Sequence, residues 1–170
     1  GLRRETLTES SYTSNTAPTM NPNRRILLAE DDPQDRELTL KALSDAGLGS
    51  RVDVATDGAD VLDYLHCRGR FSGPPHSIPA LLILDLKMPK VDGLEVIRQI
   101  REDESLRTMP IVVLSSSREE RDLIACYRGG VNAYVVKSME FTDHLRHVRL
   151  LGEFWGTVNE PPPETARTSA

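Results

Sequence analysis

Leu81-Leu82-Ile83-Leu84 is apolar at every position and runs directly into Asp85. A strand that alternates apolar and polar residues has one wet face; a strand apolar throughout must be covered on both. That requirement points to a parallel sheet between two layers of helices. Two further runs have the same form. In Arg24 to Ala29 two arginines lead into Ile26-Leu27-Leu28-Ala29, which ends in Glu30-Asp31-Asp32-Pro33, and Ile111-Val112-Val113-Leu114 ends in Ser115-Ser116-Ser117. Val52-Asp53-Val54-Ala55 and Ala133-Tyr134-Val135-Val136 complete a set of five, the last followed by Lys137-Ser138.

Helical patterns fill the intervals. Leu38, Ala42, Leu43 and Ala46 mark one face before Gly47 stops the first helix. Leu62 and Leu65 point inward in the second, and Leu94, Ile97 and Ile100 in the third. The fourth spans about Arg118 to Arg128, with Ser117 as its expected N-cap and Glu120 completing a capping box. The fifth is expected from near Met139 to about Val158, with Leu145, Val148 and Trp155 facing the core. Strand and helix thus alternate five times. This predicts an α/β fold, a doubly wound (βα)5 flavodoxin-like sandwich with a five-stranded parallel sheet. Residues 67–79, with Gly69, Gly73, Pro74, Pro75 and Pro79, form an unusually long connection before the third strand.

Residues 1–23 are rich in Thr, Ser, Asn and Pro and are read as a disordered leader. Residues 24–158 make the domain, and residues 159–170, with Pro161-Pro162-Pro163, a flexible tail. The net charge of −5 argues against nucleic acid or an anionic membrane as partner. No apolar run approaches membrane-spanning length. Cys67 and Cys126 lack metal-ligand spacing and read as reduced thiols of a cytoplasmic protein. His66, His76, His144 and His147 are expected at the surface.

In a parallel sheet the carboxyl ends of all strands share one edge. That edge gathers Glu30, Asp31 and Asp32, then Asp85, Ser115 and Lys137. Clustered carboxylates repel one another unless a cation neutralises them, and an oxygen-only set favours Mg²⁺ or Mn²⁺. A lysine and a hydroxyl opposite suit phosphoryl oxygens. A carboxylate can attack phosphorus to give an aspartyl phosphate. On this reading Asp85 is the nucleophile, Asp31 a direct metal ligand, and Lys137 and Ser115 the phosphoryl clamp. Asp32 stays open between a solvated first-turn acid and a further metal-site oxygen.

These residues, in this order, resemble the receiver domains of two-component response regulators over about Arg25 to Leu151. The acidic pair corresponds to Glu30-Asp31. The phosphoacceptor motif corresponds to Asp85-Leu86-Lys87-Met88-Pro89-Lys90-Val91-Asp92-Gly93, the switch pair to Ser115 and Tyr134, and the lysine to Lys137. The resemblance implies a metal held by Asp31, Asp85 and the backbone carbonyl of Lys87, with Glu30 acting through water. It also implies phosphorylation of Asp85 by a sensor histidine kinase and a switched protein-interaction surface. Such a domain assists its own phosphorylation and dephosphorylation without being a conventional enzyme. One departure stands out: the family usually has a cis Lys-Pro where this chain has Lys137-Ser138. Glu30 to Leu38, the long loop and the aromatic end of the last helix narrow the resemblance. They are similar to regulators paired with bacteriophytochrome kinases, which sense red and far-red light.

Two other classes compete. An aspartyl-phosphate phosphatase or phosphotransferase of the haloacid-dehalogenase type needs a second acid two residues after the nucleophile, where this chain has Lys87. A non-phosphorylated interaction module on the same fold does not need the full acid, Ser and Lys set. Finally, Leu150, Phe154 and Val158 form a second apolar stripe on the last helix. A helix covering a sheet needs only one such stripe, so the surplus is read as a homodimer interface.

Overall fold

The runs that are apolar on both faces are covered on both faces. A computed structural model describes residues 24–163, so the expected leader and the end of the expected tail lie outside the described residues. The strands are β1 (Ile26–Ala29), β2 (Val52–Ala55), β3 (Leu81–Leu84), β4 (Ile111–Ser115) and β5 (Ala133–Val136). They alternate with α1 (Pro33–Asp45), α2 (Gly58–Leu65), α3 (Gly93–Glu102), α4 (Glu120–Arg128) and α5 (Phe141–Glu153). The strands are all parallel in the order β2-β1-β3-β4-β5, the doubly wound flavodoxin-like arrangement expected.

Alternate residues of each central strand feed different cores. Leu27, Leu82, Leu84 and Val113 pack with α2, α3 and α4 through Val61, Val96, Ile97, Ile100 and Cys126. Ile26, Leu28, Ile83 and Val112 pack with α1 and α5 through Leu43, Val148 and Leu151. Leu145 and Trp155 lie against the second core, as expected. Gly152 lets α5 approach α1 closely, since a Cβ there would meet Leu43 Cδ2 at 2.7 Å. The chain order reverses between β1 and β3, and such a switch point opens a crevice at the strand carboxyl ends.

Several local expectations are corrected. The third helix buries Val96, Ile97 and Ile100, while Leu94 is 38% exposed. α4 begins at Glu120, with Glu119 rather than Ser117 at the cap position. The Ser117 hydroxyl instead donates to Asp122 and accepts from the Glu119 N–H. His144 is buried, because α5 packs that side against α1. Burial lowers its basicity, with the negative charge of Asp35 opposing. His76 is half-buried, its ring lying 4.3 Å from that of Tyr64 and its Nε2 2.9 Å from the Tyr64 carbonyl. With Phe71, edge-on to Tyr64 at 5.1 Å, it anchors the long connection to α2.

The last helix is shorter than expected. α5 ends at Glu153, and the chain continues as a π-helical turn over Phe154–Val158. Arg51 Nη1 donates to the Gly156 carbonyl and Arg24 Nη1 to that of Asn159, holding this turn on the domain. A π turn bonds i to i+5 and is wider than an α turn, so the Leu150, Phe154, Val158 stripe is not one continuous α-helical row. Among the described residues no helix is long and apolar enough to cross a membrane.

Candidate functional site

Register aligns the strand ends. Ala29 pairs with Leu84, so Glu30 and Asp85 emerge side by side, and the Asp85 N–H donates to the Ala29 carbonyl at 3.0 Å. Ser115 pairs with Val136, which places Lys137 one residue beyond, its N–H on the Ser115 carbonyl at 2.8 Å. Pro33 opens α1 with its fixed φ, and Asp32 caps it by accepting the Asp35 N–H at 2.9 Å. Arg36 Nη1 reaches back to the carbonyls of Glu30 and Asp31 at 3.0 and 3.3 Å. The turn carrying the acids is thereby held at both ends.

Carboxylate oxygens of Glu30, Asp31 and Asp85 lie within 4.8 Å of one another. Oxygen ligands at that spacing, at the end of a sheet, fit a hard divalent cation. The Lys137 ammonium is the counter-charge seen in the structure. It donates to Glu30 Oε2 at 2.7 Å, Asp35 Oδ2 at 2.9 Å and Asp85 Oδ2 at 3.4 Å. Burial alone would lower this lysine, but hydrogen bonds to Glu30 and Asp35 and the charge of Asp85 hold it above its usual value. Burial pushes Glu30 up to about 7, the hydrogen bond from Lys137 pulling down and the charge of Asp85 pushing further up.

The peptide bonds of the described residues are trans, Lys137–Ser138 included. A trans bond therefore delivers Lys137 into the acid cluster in this chain. On the other side of the site Ser115 is buried, and its Oγ accepts the Ser117 N–H at 3.2 Å. Tyr134 donates its hydroxyl to the Ser117 carbonyl at 3.0 Å. A movement of the 115–117 turn therefore reaches Tyr134 through a hydrogen bond.

The structure brings together Glu30, Asp31, Asp85 and Lys137, with Ser115 at the end of β4 and Tyr134 inside β5, tied to the turn after β4 through its hydroxyl. Lys87 lies two residues beyond Asp85, its side chain exposed. Asp32 stands apart: it is exposed, and its carboxylate is engaged in capping α1 rather than joining the acid cluster. Asp35 is the residue that sequence reasoning missed. An acid in the first turn is expected on any helix, and only its three-residue offset from the cap Asp32 marks it as facing the same edge. Leu150 and Phe154 line an apolar groove of about 660 Å³ with Tyr134, Val135 and Trp155. Val158 is exposed but lies outside that lining.

A parallel sheet with an acid triad and a half-buried lysine at its carboxyl edge, and a serine turn there tied to a tyrosine of the edge strand, defines a signalling receiver. Residues 26–149 match the response regulator receiver domain family, and the chain belongs to it. It is 39% identical over 137 residues to the probable methanogenesis regulatory protein FilR2 of Methanothrix harundinacea, covering 81% of this chain and 86% of that one. It is 35% identical over 135 residues to the response regulator Rcp1 of Synechocystis, covering 79% and 90%. Rcp1 has been solved in a Mn²⁺-bound form, with a TM-score of 0.76 over 82% of this chain and 99% of that one at 33% identity. The phosphorylated cyanobacterial phytochrome response regulator RcpA superposes with a TM-score of 0.76 at 34% identity, covering 82% and 99%. The bacteriophytochrome response regulator RtBRR shares 50% identity with a TM-score of 0.66, covering 83% and 85%. The chain is thus a two-component receiver similar to the phytochrome response regulators.

Proposed function

We propose that Asp85 accepts a phosphoryl group from the phosphohistidine of a sensor kinase. An Asp85 carboxylate oxygen attacks phosphorus, the P–N bond breaks, and the neutral imidazole leaves after taking up a proton. The observation that carries this reading is the half-buried Lys137 ammonium bonded to both Glu30 and Asp85. In this proposal its protons meet the arriving phosphoryl oxygens, and the Ser115 hydroxyl supplies a further donor. Asp31 and Asp85, with the Lys87 carbonyl and with Glu30 through water, are the proposed holders of Mg²⁺ or Mn²⁺. Bound there, the cation would neutralise charge on the transferring group. When the Ser115 hydroxyl turns to a phosphoryl oxygen it gives up the Ser117 N–H. Tyr134, bonded to the same turn, then shifts the surface of α4, β5 and α5.

The proposed donor is a bacteriophytochrome histidine kinase. The likeness to Rcp1, RcpA and RtBRR supports that choice, and RcpA has itself been solved phosphorylated. The proposed setting is the cytoplasm, where Cys67 and Cys126, neither in a disulfide, stay reduced. With Mg²⁺ and a small phosphoryl donor the protein is expected to acquire a hydroxylamine-sensitive label. In Asp85→Asn that labelling is expected to fall by about 100-fold or more, since an amide is a far poorer nucleophile than a carboxylate. Undiminished labelling of this variant would reject Asp85 as the acceptor.

The proposal extends to a homodimer through the groove between β5 and α5. Leu150 and Phe154 line it while about half exposed, at 52% and 49%. Val158 extends the apolar surface beyond it. Light scattering at high micromolar concentration is expected to give the dimer mass, and Phe154→Asp the monomer mass. A monomeric wild type would end this part of the proposal.

A further inference from the structure

We propose that Asp35 is a positioning residue that draws the Lys137 ammonium toward α1 and away from Asp85, slowing phosphorylation. The inference rests on Asp85 being the acceptor, and concerns how fast it accepts. Lys137 Nζ carries three protons and faces three carboxylates. Its contact with Asp35, at 2.9 Å, is shorter than its contact with Asp85, at 3.4 Å. Asp35 does not depend on this contact to keep its place. Its backbone N–H is held by the Asp32 cap, and its side chain is 41% exposed. Glu30 is committed on both sides, accepting the Asp32 N–H on one oxygen and Lys137 on the other. Of the three acceptors Asp35 is therefore the one that can be removed without uncovering a buried acid.

Two effects of Asp35 act in the same direction. It engages a proton that an arriving phosphoryl oxygen needs, and it adds a negative charge to an edge that must admit an anionic donor. Asp35→Asn keeps the size and the helix start and removes both effects. Phosphorylation of the full chain by acetyl phosphate with Mg²⁺ is expected to run about threefold to tenfold faster in this variant. Asp35→Glu, which restores the charge, is expected to return most of the way to the wild-type rate. In a Lys137→Met background the same Asp35→Asn change is expected to have little effect, because the cation it acts through is gone.

An Asp35→Asn rate equal to or below wild type would overturn the proposal. So would an acceleration that persists undiminished without Lys137, which would be bulk charge alone. The acceptor assignment is tested separately by Asp85→Asn in the same assay, whose undiminished labelling rejects that reading. A readout that needs no phosphorylation is the ¹⁵Nζ resonance of Lys137. Asp35→Asn is expected to shift it and speed its proton exchange, and an unchanged resonance would overturn the positioning role.

Discussion

Gly58→Ala is expected to destabilise the protein by about 3 kcal/mol, the upper part of the range for overpacking. Gly58 is the first residue of α2, and its Cα faces the loop that follows Asp85. A Cβ there would stand 1.8 Å from the Val91 carbonyl oxygen and 2.6 Å from its carbon. Both are backbone atoms, so no side chain can rotate away. The loop itself has little room to retreat. Lys90 holds a left-handed φ of +66° and pairs with Asp57 Oδ2 at 2.9 Å, while the Gly93 N–H is bound to the Leu86 carbonyl. Either α2 lifts from Leu84 and its neighbours, or the loop carrying Lys87 shifts. The midpoint of thermal unfolding should fall on the order of 10 °C, and divalent-cation affinity should weaken with it. Gly47→Ala separates the causes. Gly47 has φ +77° with nothing within 4 Å of its would-be Cβ. It should cost only the conformational penalty of about 1 kcal/mol and leave cation affinity unchanged. Equal losses in the two variants would show that the Val91 contact is not the cause.

That contact could not be read from the chain, though the elements on either side of it could. β1, β3 and β4 were legible because apolar residues at every position leave few alternatives to a doubly covered strand. The site followed from them, since parallel topology alone sends Glu30, Asp31, Asp85, Ser115 and Lys137 to one edge. What stayed hidden depends on angles between elements. His144 and His147, three apart on a helix, look like a solvated pair until α1 packs over the first of them. Asp35 looks like an ordinary first-turn acid until the start of α1 and the path of Lys137 meet. The π turn at Phe154–Val158 has no residue signature. It is an altered hydrogen-bond ladder, held here by a buried Arg51 that pattern reading had no reason to single out. Ser138 is the reverse case: its departure from the family's proline is plain in the sequence, yet Lys137 still reaches the acids.

Lys137→Met is expected to move stability, cation affinity and phosphorylation in different directions. The side chains of Lys137, Glu30 and Asp85 are only 10%, 3% and 12% exposed. Removing the cation from such a pair while leaving the acids costs roughly 3–5 kcal/mol in comparable cases. Glu30, already raised to about 7, relieves part of this by holding a proton near neutral pH. In chelator the variant should therefore unfold at clearly lower denaturant than wild type. A divalent cation restores the missing charge, so added Mg²⁺ should raise the variant's midpoint more than the wild type's. The dissociation constant for Mg²⁺, measured by calorimetry, should tighten by about tenfold, because one competing cation has left the cluster. Phosphorylation should nevertheless slow by about 100-fold, since in the proposed transfer the ammonium would donate to the transferring oxygens and a divalent cation nearby would not replace that donor. These opposite signs distinguish a phosphoryl clamp from a purely structural ion pair. A structural pair would lose stability, and Mg²⁺ would recover both stability and phosphorylation rate together. If Mg²⁺ at saturation restores the wild-type rate in Lys137→Met, Lys137 is a counter-charge for Glu30 and Asp85 and takes no direct part in the transfer.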